Sequence, residues 1–223
     1  MAQKNTMQNQ MRVNIPRPLA YICLTITLSV FCTQLSAKTN ILVFGDSLSA
    51  AYNIQPEKGW VNLLETKLIS NQYDIKFTNA SISGETTSGG LVRFIPQVNK
   101  TNPDIVILEL GGNDGLRGSS LKTMRENLQS MIEFCQQNNI NILLAGMRIP
   151  PNYGRTYTQK FDQIYLDLAT MLDVTFIPFF LQGVATKHDL IQIDGLHPNE
   201  KAQPIIAALV EQYLTPLLRI KAD

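Results

Sequence analysis

Four short apolar runs punctuate the chain, at Asn40–Phe44, Ile75–Asn79, Ile105–Leu110 and Ile140–Ala145, each of strand length and dominated by Ile, Val, Leu and Phe. Nearly continuous apolar runs belong to strands buried on both faces, as in a parallel sheet. Between them the period changes. Gly59–Gln72 places Trp60, Leu63, Leu64 and Leu68 on one stripe, and Leu121–Asn138 does the same with Leu121, Met124, Leu128, Met131, Ile132 and Cys135. Steps of three and four residues bring these side chains to one helical face. A helix from about Thr158 to Leu172, a short strand at Thr175–Ile177 and a C-terminal helix after Pro198 continue the pattern. Strand–helix alternation predicts an α/β sandwich with a mostly parallel sheet and right-handed crossovers. Loops leaving the carboxyl ends of such strands gather on one edge, where ligands bind.

The first 37 residues stand apart. Lys4, Arg12 and Arg17 precede the apolar run Leu19–Cys32, and TQLSA follows it before Lys38. A basic start, a short apolar run and a small residue at the cut describe a secretory signal peptide, and the run is shorter than the roughly 20 residues that cross a bilayer. The expectation is therefore a signal at 1–37, one domain at 38–223, and an exported, periplasmic protein with no stable membrane insertion after cleavage. Removing the leader also removes Cys23 and Cys32 and leaves Cys135 as the single thiol, so no internal disulfide forms. Cys135 falls on the apolar stripe of its helix and receives no catalytic role.

The whole chain has 19 Lys+Arg against 18 Asp+Glu, and without the three leader bases the remainder has 16 against 18. A near-neutral body without basic excess gives no electrostatic reason to expect nucleic acid as a partner. A monomer is expected.

Three of the predicted strands run into short polar loops. Gly45-Asp46-Ser47-Leu48-Ser49 follows the first and leads toward a helical segment, which would put Ser47 near a helix N-terminus where backbone N–H groups favour a developing anion. The same residues would also serve as a plain helix cap. The loop after the second strand holds Gly84, and Gly111-Gly112-Asn113-Asp114 follows the third. With the N–H of Ser47, the N–H of Gly84 and the Asn113 amide would supply three donors to an oxyanion, although Gly and Asn are also ordinary turn residues. Far along the chain, Asp194-Gly195-Leu196-His197-Pro198 spaces a carboxylate and an imidazole so that Asp194 could hold the ring while its other nitrogen faces a nucleophile. Imidazole titrates in the physiological range and suits a general base. His188, the other histidine, has Ala185 at the equivalent upstream position. An incidental surface His before a helix-starting Pro is the alternative for His197.

Taken together, ILVFGDSLSA, NASISGET, LELGGNDGLRG, IPPNYGRTY and DGLHPN occur in one order across nearly all of the chain after the leader. They resemble the GDSL, or SGNH, hydrolases, and among them the bacterial periplasmic multifunctional enzymes with thioesterase, lysophospholipase and arylesterase activity. That resemblance implies a three-layer α/β/α, flavodoxin-like fold and an acyl-serine mechanism. Ser47 would be the nucleophile, His197 the base and Asp194 its partner, with Ser47, Gly84 and Asn113 forming the oxyanion hole. It also implies no metal or organic cofactor, a small-molecule acyl ester or thioester as substrate, and an acyl crevice touching Leu116, Pro150, Tyr153 and Leu196 with Arg148 nearby. Leu116 lies three residues beyond Asn113 and Leu196 adjoins His197, which is the physical motive for placing both beside the reacting carbonyl.

Other chemistries lack their residues. Ser49 stands where the α/β-hydrolase elbow needs its last Gly, and no G-x-G-x-x-G, H-E-x-x-H, paired C-x-x-C or P-loop occurs. Two readings compete with an acyl hydrolase of broad range: a carbohydrate O-acetyl esterase using the same machinery, and a non-catalytic lipid- or sugar-binding module on the same scaffold.

Overall fold

The computed structural model describes residues 38–218. The predicted signal segment, 1–37, lies outside the described residues. Five strands form one sheet: β1 (Thr39–Gly45), β2 (Ile75–Asn79), β3 (Ile105–Glu109), β4 (Asn141–Ala145) and β5 (Thr175–Ile177). All neighbours pair in parallel, in the order β2-β1-β3-β4-β5. Each run found in the sequence is a strand, with ends shifted by no more than one residue. β3 is buried at all five positions and β1 at its last five, which is why their sequences are apolar throughout.

Helices cover both faces. α1 (Trp60–Ser70) packs against α6 (Gln203–Leu214), while α2 (Thr87–Thr101) packs on α4 (Leu121–Gln137), which in turn contacts α5 (Arg155–Met171). α4 buries Met124, Leu128, Met131, Ile132 and Cys135 along the predicted stripe, and α1 buries Trp60, Leu64 and Leu68, with Val61 in place of the half-buried Leu63. Burial also pushes the Cys135 thiol up to about 12, so it stays protonated and unreactive.

Two helices have no counterpart in the sequence reading. α2 is hidden by Gly89-Gly90 near its start and Pro96 within it, both unfavourable in helix interiors. It forms because Thr86 caps it through Gly89 N, and because Thr87, Gly90, Phe94 and Val98 bury one side. α3 (Gly112–Leu116) is a single turn within the GGND segment, which the sequence presents as a loop.

Chain order reverses at β1, which lies between β2 and β3. In a doubly wound sheet this is the switch point, and the crevice opens outside the carboxyl ends of the strands there. No helix among the described residues is long and apolar enough to cross a membrane.

Candidate active site

The three loops leaving β1, β2 and β3 meet at this crevice and are laced to one another. After β1 the chain enters a run of turns, with Ala50 N donating to Asp46 O (2.9 Å) and Tyr52 N to Ser47 O (3.3 Å). Ser47 therefore sits within turns, not at the helix N-terminus expected from the sequence; α1 begins only at Trp60. The β2 loop is fastened to the β1 loop by Asn79 Nδ2 donating to Ser49 O (2.7 Å) and Ile82 N to Gly45 O (3.0 Å). Gly84 in this loop has φ +78°, a conformation that a side chain disfavours.

After β3, Gly111 adopts φ +111°, and a Cβ there would collide with the Tyr165 hydroxyl, which donates to Leu110 O (2.9 Å). Only glycine lets the chain turn so sharply into α3 and place Asn113 over the crevice. Asp114 then ties α3 to the start of α2, accepting from Thr87 N (2.8 Å) and Thr87 Oγ1 (2.7 Å).

The histidine arrives from the opposite direction, on the segment before α6. That segment closes on itself: Gln192 N donates to His197 O (2.7 Å), Ile191 and Pro198 form an isolated antiparallel bridge, and Gly195 takes φ +71°. Gln192 Nε2 also donates to Tyr52 O (2.9 Å), joining this segment to the loop that carries Ser47. The side chains are thereby aligned. His197 Nε2 lies 2.9 Å from Ser47 Oγ, and His197 Nδ1 lies 2.7 Å from Asp194 Oδ2. Asp194 Oδ1 accepts from the backbone N–H of Leu196 (2.9 Å) and His197 (3.0 Å).

Partial desolvation pushes the Asp194 carboxyl up, but those two N–H groups and the imidazole outweigh it and bring it down to about 2. An ionised Asp194 favours the tautomer with the proton on Nδ1, which leaves the Nε2 lone pair facing the serine hydroxyl.

Asn113 Nδ2 donates to Asp46 Oδ2 (2.9 Å), which fixes the amide plane and leaves its second N–H for another acceptor. Burial raises the Asp46 carboxyl to about 6, opposed by the Leu48 N–H, His197 and Asn113.

Beside these groups opens a cavity of about 350 Å³. Its wall includes Ser47, Gly84, Asn113 and His197 together with the apolar Leu48, Leu116, Met147, Ile149, Pro150, Leu181 and Leu196. Arg148 also lines it, with its guanidinium 4.9 Å over the Phe179 ring and Nε 3.7 Å from Asp162 Oδ2. Of the residues expected in the acyl crevice, Leu116, Arg148, Pro150 and Leu196 are there. Tyr153 is not among the lining residues; its hydroxyl donates to the backbone carbonyl of Leu116, which is one of them (2.8 Å).

The sequence reading missed Tyr52, whose ring lies 4.4 Å from that of His197 and lines the same cavity. It also missed Met147 and Leu181, which no motif singles out.

A model of the GDSL-like Lipase/Acylhydrolase family matches residues 43–204. The chain is 41% identical over 189 residues to Esterase TesA of Pseudomonas aeruginosa, covering 85% of this chain and 94% of that protein. It is 40% identical over 183 residues to Thioesterase 1/protease 1/lysophospholipase L1 of Escherichia coli (strain K12), covering 82% and 86% respectively. The solved structure of the psychrotrophic esterase EstA from Pseudoalteromonas sp., inhibited by monoethylphosphonate, is similar with a TM-score of 0.77 and 41% identity over 80% of this chain and 98% of that one. With its family model spanning most of the described residues and the relatives matched nearly end to end, the chain belongs to the GDSL-like lipase/acylhydrolase family and is a hydrolase.

Proposed function

We propose that this hydrolase cleaves carboxylic ester and thioester bonds of acyl substrates through an acyl-Ser47 intermediate. The observation that carries the reading is the unbroken chain Ser47 Oγ, His197 Nε2, His197 Nδ1, Asp194 Oδ2 at the wall of an apolar cavity. A free hydroxyl is a poor nucleophile until a base takes its proton. His197 does so as Ser47 Oγ bonds to the carbonyl carbon, and the charge that collects on the carbonyl oxygen meets the N–H groups of Ser47, Gly84 and Asn113. The tetrahedral adduct collapses, breaking the bond to the alcohol or thiol, and His197 returns its proton to that leaving group. Water then repeats the sequence on the acyl-serine, releasing the acid and free Ser47.

Seven apolar side chains on the wall favour an acyl chain longer than acetyl, since each buried methylene contributes up to about 0.8 kcal/mol. The names of the relatives, esterase and thioesterase/lysophospholipase, support the same range. The deciding experiment is an ester panel from acetyl to palmitoyl, with an acyl-CoA and a lysophospholipid, run on wild type and on Ser47→Ala. Rates that climb with chain length and vanish in the variant are expected. A preference for acetyl would favour a carbohydrate O-acetyl esterase, and binding without turnover would leave a lipid- or sugar-binding module.

Leu116 tests the acyl crevice directly. Leu116→Arg should depress octanoyl ester hydrolysis by more than about tenfold and leave acetyl ester hydrolysis within a few-fold, because a short acyl group never reaches that surface. Parallel losses would remove Leu116 from the acyl site and make it a support for Asn113. The proposal extends to location: the enzyme acts as an exported, periplasmic monomer, supported by the basic-then-apolar leader before Lys38. N-terminal sequencing of extracted protein should find a start near Lys38.

A further inference from the structure

The mechanism leaves one buried acid unused. Glu109 closes β3, the single ionisable side chain in a strand of Ile, Val and Leu, and is 0% exposed. Its Oε2 accepts from Asp46 N (3.2 Å) and Ser49 Oγ (2.7 Å), while Oε1 is buried with no hydrogen-bond partner. Among the described residues no lysine, arginine or histidine forms an ion pair with it. The titratable groups that face it are the Asp46 carboxyl, from the loop after β1, and the Tyr165 hydroxyl, from α5.

Two carboxyls this close and this dry do not both ionise. Asp46 has more to hold a charge, with a donor on each oxygen: the Leu48 N–H on Oδ1 (3.0 Å) and the Asn113 amide on Oδ2 (2.9 Å). Glu109 has two donors on one oxygen and nothing on the other.

We propose that Glu109 is held as the neutral carboxylic acid and acts as a positioning residue. Its Oε2 fixes Asp46 and Ser49 on either side of the nucleophile, and its proton leaves the one negative charge on Asp46, where it orients the Asn113 amide. Burial first, and the Asp46 charge second, push the Glu109 carboxyl well above the usual glutamate range, in keeping with this geometry. The functional half of the proposal rests on the reading of Asn113 as an oxyanion donor; the protonation half does not.

Glu109→Gln copies the neutral acid, with a carbonyl oxygen for the two donors and an NH₂ in place of the acid hydroxyl. Glu109→Leu fills the space but accepts nothing. The Leu variant should lose kcat by roughly tenfold with KM little changed, as misplacement of a reacting group does, and the Gln variant should recover most of that loss.

Thermal unfolding gives a second readout that needs no substrate. A carboxyl raised in the folded state contributes stability that is complete below the unfolded value of about 4.3 and is lost as pH rises toward the folded value. Glutamine has no such loss. The Tm of the Gln variant should therefore gain on wild type by roughly 3–5 °C for each pH unit between about 5 and the folded value. A Tm gap that does not change with pH, a Gln variant as slow as the Leu variant, or a Gln variant that does not fold would each overturn the proposal. If the Leu variant fails to fold, Glu109→Gln set against wild type decides alone. If no ester is cleaved by wild type, the Tm series still tests the neutral acid.

Discussion

Ser47→Ala should lower kcat by about 10⁴–10⁶, and His197→Ala by a similar factor, with little further loss when the two are combined. On the proposed mechanism the 2.9 Å contact between Ser47 Oγ and His197 Nε2 makes them one unit: the serine would attack only while the imidazole can take its proton, and the imidazole would have nothing to accept once the hydroxyl is gone. Folding should be little affected, because Ser47 lies in a turn whose backbone bonds, such as Tyr52 N to Ser47 O, do not use the side chain. Steady-state kinetics of the two single variants and the double variant on one ester check this. Losses that multiply, or a single variant keeping a tenth of the wild-type rate, would rule out the acyl-Ser47 mechanism.

Asn113→Ala should cost roughly 10²–10³ in kcat with KM nearly unchanged, because an oxyanion donor binds the transition state more strongly than the ground-state carbonyl. The loss has two sources here. The N–H proposed to meet the oxyanion disappears, and Asp46 Oδ2 loses the donor that partly satisfied it, leaving a buried carboxyl short of one partner. Separate measurement of kcat and KM on the same ester decides the role. A change confined to KM would make Asn113 a residue that positions substrate.

The strands were the most legible part of this protein because their burial on both faces writes itself into nearly every position of the run, as in Ile105–Leu110. α2 was not legible, since Gly89-Gly90 and Pro96 are the residues that usually end helices, and what holds α2 together is packing by Phe94 and Val98 against partners distant in sequence. The residues aligned in the site were visible as short motifs whose spacing is local: Asp194 and His197 meet within one turn. Tyr52 and Leu181 were not, because their approach to the cavity depends on how turns fold back, which no period records. Tyr153 shows the converse. The resemblance puts it in the acyl crevice, but it is absent from the cavity lining and its hydroxyl donates to Leu116 O. Glu109 does leave a mark in the sequence, a lone acid in an otherwise apolar run.

Ser47, Gly84 and Asn113 hang from three adjacent strands, whereas His197 hangs from a segment closed by one short bridge between Ile191 and Pro198. Mechanically, then, the site has a chassis and an arm. The chassis is rooted in the ends of paired strands, and its loops are tied to one another by Asn79 to Ser49 O and Ile82 N to Gly45 O. The arm is held by local hydrogen bonds instead of a ladder, and segments of that kind open at a fraction of the free energy of global unfolding. Such an opening would take Leu196 and His197 out of the cavity wall together, so on the proposed mechanism the base and one face of the acyl crevice would be lost in a single step.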